Sequence, residues 1–143
     1  MNLQPKKTPN EYRLIHNLTY PYDDNANIPQ QEKTVTYAFV GTAITKLLRL
    51  PVGAYMCKTD IKDAYKLIPI HKDDHNKLGI YFEGHYYYQK TLPQGCGSSC
   101  AIFEMFSTAL GAIFNATVPD SFTVHLIDDF LLLLFQQRSA DCI

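Results

Sequence analysis

The stretch FTVHLIDDFLLLLF, Phe122 to Phe135, places two adjacent carboxylates, Asp128 and Asp129, between two apolar arms. Arms of this length and composition read as strand Phe122 to Ile127, a tight turn at Asp128-Asp129, and strand Phe130 to Phe135. Two carboxylates held between core strands are costly, because desolvation and mutual repulsion both oppose the ionised forms. Two arrangements relieve that cost: a divalent cation bound between them, or exposure at a hairpin tip. The sequence has two further Asp-Asp pairs, and neither shares this setting. Asp23-Asp24 sits among Pro, Asn and Gln, and Asp73-Asp74 lies in the cluster His71-Lys72-Asp73-Asp74. A solvated loop accounts for both.

A metal site of this kind calls for a third carboxylate, and Asp60 is the natural candidate. It ends the extended segment Ala54 to Asp60, expected as a strand entering the core, and an antiparallel neighbour can bring it beside Asp128. A carboxylate trio suits a hard cation such as Mg²⁺ better than thiol or imidazole ligands would. Asp60 is equally explained as a cap on the turn Ile61-Lys62-Asp63, and composition leaves both readings open.

Further out, residues 1–35 are polar and rich in Pro and Asn, which predicts an irregular lobe with short strands such as Tyr12 to Ile15. Tyr37, Val40, Ile44, Leu47 and Leu48 recur at helical spacing until Pro51. Leu67 to Ile70 reads as a short extended piece. Leu78 to Phe82 and His85 to Lys90 flank Glu83-Gly84, a hairpin signal. Ser98 and Ser99 offer an N-cap to a helix whose expected buried face is Ile102, Phe103, Phe106, Ala109, Leu110 and Ile113. This order predicts an α+β fold with helices packed on one face of an antiparallel sheet.

The chain has 143 residues, 46% of them hydrophobic, enough for one compact domain or two lobes sharing a core. Its formal charge of −1 does not advertise nucleic-acid binding, so any such partner must be argued from motifs. Cys57, Cys96, Cys100 and Cys142 form no CxxC pair, which argues against a zinc site, and Cys96 and Cys100 read as small packing residues. No apolar run follows the basic residues of MNLQPKKTPNEYR, and the longest unbroken apolar run, Phe130 to Phe135, is too short for a bilayer. An intracellular protein with reduced thiols and no membrane partner is the expectation.

Four stretches, in order, resemble the reverse transcriptases, the RNA-directed DNA polymerases. Pro5-Lys6-Lys7 with Tyr12-Arg13-Leu14-Ile15 is similar to their fingers segment, and Thr59-Asp60-Ile61-Lys62-Asp63-Ala64-Tyr65 to their first acidic motif. Leu92-Pro93-Gln94-Gly95 is similar to the motif that precedes a helix, and Leu126-Ile127-Asp128-Asp129 stands where the family carries Tyr-x-Asp-Asp. LPQGCGSSCAIFEMF (Leu92 to Phe106) and HLIDDF (His125 to Phe130) most resemble retrotransposons of the DIRS-like, tyrosine-recombinase-encoding group. The resemblance runs from Pro5 to about Phe135.

That resemblance implies a polymerase palm with a ferredoxin-like sheet (residues 36–68 and 98–143) and a fingers lobe (1–35 and 69–97). It implies catalytic Asp60, Asp128 and Asp129, which with the Ile61 backbone carbonyl would hold two Mg²⁺ ions, or Mn²⁺ in their place. Lys6, Lys7 and Arg13 would hold a triphosphate. Asp63, Ala64, Tyr65, Gln94 and Gly95 would line the nucleotide pocket, with Tyr65 rejecting a 2′-hydroxyl. The implied partners are an RNA or DNA template-primer and dNTPs. Each role has a plainer counterpart: Tyr65 as a core aromatic, Arg13 as a surface cation, Lys6 and Lys7 as part of a flexible N-terminus, Gln94-Gly95 as turn chemistry, His125 as a strand-face residue.

Two departures from the family pattern stand out. Leu126 replaces the usual Tyr, and Ile143 follows soon after the acidic hairpin, before any thumb or primer grip. The expectation is therefore an isolated chain that does not polymerise, with Leu131 to Phe135 on or near an open sheet edge. A catalytically silent truncated remnant, binding at most nucleic acid or a partner, is the alternative. A metal-dependent nuclease or phosphatase also uses Asp clusters but leaves Tyr65, Pro93-Gln94-Gly95 and the basic residues unexplained.

Overall fold

The computed structural model describes residues 2–19, 22–23, 35–38 and 40–135; Asp24, Cys142 and most of the 20–34 stretch lie outside the described residues. The chain divides into two compact units, Met1–Thr34 with Asp63–Phe103, and Val35–Lys62 with Glu104–Ile143. The architecture is mixed helix and sheet.

The second unit is built on a three-stranded antiparallel sheet of β3 (Tyr55–Asp60), β7 (Asp129–Leu134) and β6 (Ser121–Leu126), in the order β3-β7-β6. Its registers run Tyr55↔Leu134 to Asp60↔Asp129 on one side and Ser121↔Leu134 to Leu126↔Asp129 on the other. β7 is thus the central strand, so Leu131 to Phe135 do not form an open edge as expected. The Leu run reads as a strand covered on both faces, and every residue of β7 is buried or half-buried. The expected core strand β3 is instead an edge strand, exposed at all its positions.

The hairpin turn is also displaced by one residue. Leu126 pairs with Asp129, leaving Ile127-Asp128 as the turn and Asp129 as the first residue of β7.

The first helix, α1, covers Val40–Leu47, a turn shorter at its start than the apolar spacing suggests. Its Lys46 Nζ donates to the Thr123 carbonyl at 3.0 Å. Val40 and Ala43 line a cavity with Val124 and Leu131. The long helix α2, Ser99–Thr117, meets β6 differently: a Cβ added at Gly111 would stand 2.9 Å from Thr123 Oγ1. Both helices thus approach β6, α1 through Lys46 and α2 through Gly111.

The buried stripe of α2 is Ser99, Phe103, Ser107 and Gly111, spaced four apart. Of the expected face, Phe103 alone is fully buried, while Ile102, Ala109 and Ile113 are exposed. At Gly111 the absent side chain lets the helix come close to the strand. Among the described residues α2 is long and apolar enough, by length and composition only, to cross a membrane.

The first unit holds two separate hairpins. β1 (Asn2–Pro5) pairs with β2 (Tyr12–Ile15), and β4 (Gly79–Phe82) with β5 (His85–Tyr88). Glu83 (φ 48°) and Gly84 (φ 78°) form the turn of the second, with both central residues in the positive region typical of type I′. Residues Ala64–Leu67 and Lys72–Leu78 are 3₁₀ turns, so the expected extended piece is shorter, bridging Pro69 to Thr91.

Candidate functional site

Asp60 and Asp129 are direct cross-strand partners at one end of the three-stranded sheet. Such partners point to the same face with Cβ atoms about 5 Å apart, and like charges so placed destabilise the pair. A cation is called for, and Lys58 supplies one: its Nζ lies 3.0 Å from Asp129 Oδ1. Asp128 adjoins this pair in the turn, its carbonyl accepting the Ile61 N–H at 3.0 Å. The three carboxylates therefore share one end of the sheet.

The fit to a divalent ion divides into two parts. The donor chemistry suits Mg²⁺ or Mn²⁺, since the set is carboxylate oxygen without thiol or imidazole. The side chains are not drawn together: among the described residues no three His, Cys, Asp or Glu groups are arranged to hold a metal. The Lys58 pair does not preclude such gathering, because an exposed ion pair contributes only about 0.2–1 kcal/mol.

The turn before Asp128 is unusual. Ile127 adopts φ 56°, a region rarely open to a β-branched residue, at a cost of about 1–3 kcal/mol. Both of its backbone polar groups are held by α2. The Ile127 N–H donates to Glu104 Oε2 at 3.2 Å, and Ser107 Oγ donates to the Ile127 carbonyl at 2.5 Å. Glu104 Oε1 meanwhile sits 3.0 Å from His125 Nε2, with both side chains largely buried, and His125 stacks on Phe130. The strained residue is thus held at both of its backbone polar groups, as such a conformation requires. His125 is thus a strand residue as expected, but with a partner the sequence reading missed. The available signal was that Glu104 is the lone charge in α2.

In the first unit the remaining candidates are spread over several elements. Arg13 is exposed on β2 opposite Gln4; Lys6 pairs with Glu11 at 3.1 Å, and Lys7 is exposed in the loop that follows β1. Asp63 (φ 54°) precedes a 3₁₀ turn and pairs with Lys66 at 3.1 Å, and Ala64 is buried. The Tyr65 hydroxyl lies 3.1 Å from Cys100 Sγ, and its ring meets Phe103 edge-on at 5.5 Å. Cys100 is therefore a packing partner, while Cys96 contacts Ser98 Oγ at 3.4 Å. The Gln94 carbonyl accepts the His16 N–H at 3.2 Å, and Gly95 (φ 104°) lies against the His16 backbone. Burial holds the His16 ring below its ordinary pKa.

The sequence matches the family model described as "Reverse transcriptase (RNA-dependent DNA polymerase)" over residues 4–142. The chain belongs to the reverse transcriptase family. This reverse transcriptase domain is similar to Protein P of a duck hepatitis B virus (isolate brown Shanghai duck S5), 32% identical over 83 residues, covering 58% of this chain and 10% of that protein. It is 29% identical over 98 residues to the Gag-Pro-Pol polyprotein of squirrel monkey retrovirus, covering 64% of this chain and 5% of the polyprotein. The chain thus spans a tenth or less of the length of these relatives. Among solved structures it resembles the foamy viral protease-reverse transcriptase dRH in complex with double-stranded DNA, with a TM-score of 0.62 and 19% identity. That likeness covers 96% of this chain and 21% of the other, and it is a likeness of fold.

Proposed function

We propose that this domain is the fingers and palm of an RNA-directed DNA polymerase that transfers nucleotides by two-metal phosphoryl transfer. The observation that carries the reading is the pairing of Asp60 with Asp129, with Asp128 in the adjoining turn, in a reverse transcriptase domain. The palm comprises residues 36–68 and 98–143, with the three-stranded sheet, and the fingers residues 1–35 and 69–97, with the two hairpins. Asp60, Asp128 and Asp129, with the Ile61 carbonyl, would hold two Mg²⁺ ions, with Mn²⁺ able to substitute. When bound, such ions activate the attacking hydroxyl and stabilise the leaving oxygen of an in-line displacement.

The chain's own residues then have positioning roles. Lys6, Lys7 and Arg13 hold the triphosphate of a dNTP, Gln94 and Gly95 shape the pocket with Asp63 and Ala64, and Tyr65 excludes a 2′-hydroxyl. Phosphoryl transfer needs chiefly this combination of positioning and charge stabilisation. The partners are an RNA or DNA template-primer and dNTPs. The source is a retroelement, and LPQGCGSSCAIFEMF with HLIDDF favours the DIRS-like group. A silent remnant is the less favoured reading, since all three carboxylates are retained.

The experiment combines the purified chain, a DNA-primed RNA template and one fluorescent dNTP with Mg²⁺ or Mn²⁺. Divalent-dependent nucleotide binding is expected, and it should be lost, with any incorporation, in Asp128→Asn. Binding that ignores the ion, or is equal in wild type and Asp128→Asn, overturns the proposal.

A further inference from the structure

We infer that Glu104 is a positioning residue of the polymerase site, acting with Ser107 to fix the Ile127 turn and hence the placement of Asp128 and Asp129. The inference rests on the proposed metal-binding role of those aspartates. In a two-residue hairpin whose first central residue has positive φ, Gly is the usual occupant. Here that place is taken by Ile127, at φ 56°. A β-branched residue keeps such a conformation only where its surroundings over-determine it.

The surroundings do so from α2. Glu104 Oε2 accepts the Ile127 N–H, and Ser107 Oγ donates to the Ile127 carbonyl, so both polar groups of one peptide residue are gripped by side chains three apart on the helix. The other Glu104 oxygen is fixed by His125 Nε2 at 3.0 Å, and Thr108 Oγ1 also approaches that nitrogen, at 3.4 Å. His125 is itself located by its stack on Phe130, the residue that follows Asp129. The Glu104 carboxylate therefore spans from β6 to the turn. Its rotamer is set at both ends, and Gly111 keeps the helix close enough for the reach.

The consequence falls on the next residue. Asp128 follows Ile127 directly, and its own carbonyl is tied to the Ile61 N–H at the end of β3. With Ile127 gripped on one side and Ile61 on the other, the turn has little freedom to carry Asp128 away from Asp60 and Asp129. Glu104 acts through the backbone of Ile127 and not by touching ion or substrate.

The test uses Glu104→Gln, which keeps an oxygen acceptor for the Ile127 N–H and an amide for His125, and Glu104→Ala, which keeps neither. Two readouts serve: hydrogen-exchange protection of the Ile127 amide, and Mn²⁺ affinity by electron paramagnetic resonance. In Glu104→Ala the amide should lose protection and Mn²⁺ should bind about 10–100-fold more weakly, the usual effect of removing a group that orients a metal ligand. Glu104→Gln should restore both. Ser107→Ala, which removes a single hydroxyl, should show a smaller loss in the same direction. Wild-type Mn²⁺ affinity in Glu104→Ala and Ser107→Ala, or equal loss in Glu104→Gln and Glu104→Ala, overturns the inference. Asp128→Asn separates the two levels. If it leaves Mn²⁺ binding intact, the proposed metal site falls. If it weakens binding while Glu104→Ala does not, only the positioning role falls.

Discussion

Gly95→Ala offers a sharp test of how the loop Leu92 to Gly95 is seated. Gly95 has φ 104°, and a Cβ there would stand 1.9 Å from the His16 carbonyl oxygen, a backbone atom that cannot rotate away. Two costs follow. Forcing an L-residue into positive φ costs about 1–2 kcal/mol, and the steric overlap adds about 1–3 kcal/mol as His16 and β2 shift. The total, about 2–5 kcal/mol, is a large share of a typical stability of about 5–15 kcal/mol. Gly84 is the control. It lies in the same unit at φ 78°, but nothing stands within 4 Å of its added Cβ, so Gly84→Ala bears the backbone cost alone. The unfolded-state effect of Gly→Ala is common to both and cancels in the comparison. At about 4 °C per kcal/mol for a chain of this size, Gly95→Ala should lower Tm by about 8–20 °C and Gly84→Ala by about 4–8 °C. Thermal unfolding by circular dichroism measures both. Equal shifts would refute the close approach of Gly95 to His16.

Glu83 occupies a positive-φ position that Asn tolerates far better, so Glu83→Asn should stabilise the β4–β5 hairpin by up to about 1 kcal/mol in urea unfolding; a destabilisation would contradict the type I′ turn. The His16 ring is buried with its pKa lowered, so the unfolded chain binds a proton before the folded one does. Its contribution is complete above about pH 6.5 and is lost as pH falls through that value toward the folded pKa. Between pH 7.5 and 5.5 wild type should therefore lose stability faster than His16→Gln, and parallel curves would exclude the effect. If Tyr65 has the proposed role, Tyr65→Ala should narrow the preference for dNTP over rNTP binding while Tyr65→Phe keeps it, because exclusion by clash needs the ring and not the hydroxyl. An unchanged preference in Tyr65→Ala removes Tyr65 from that role.

The hairpin around Asp128 and Asp129 was legible in sequence because apolar arms flank a polar centre, and Asp60 because it ends an extended segment that an antiparallel neighbour can bring beside them. The exact turn was not legible. Asp-Asp is the better turn former, and Ile127 enters the turn only because Glu104 and Ser107, some twenty residues earlier, hold its backbone. The central place of β7 was missed for a similar reason: β3 joins it from about seventy residues away, and neither partner signals that pairing. On α2 the large apolar residues suggested one buried face, while close packing on β6 selected Ser107 and Gly111 instead. Lys58 as the cation beside Asp129 likewise depends on register, which composition does not carry.

The most direct measurement of the proposed metal site is Mn²⁺ titration of the purified chain, followed by electron paramagnetic resonance. Asp60→Asn, Asp128→Asn and Asp129→Asn should each weaken binding by about tenfold or more, equivalent to about 1.4 kcal/mol. Asp73→Asn is the comparison, since Asp73 lies in the exposed 3₁₀ turn Lys72–Leu78 of the other unit. Its affinity should match wild type. Equal Mn²⁺ affinity across all four variants and wild type would contradict the assignment of Asp60, Asp128 and Asp129 as the metal-binding carboxylates of this reverse transcriptase domain.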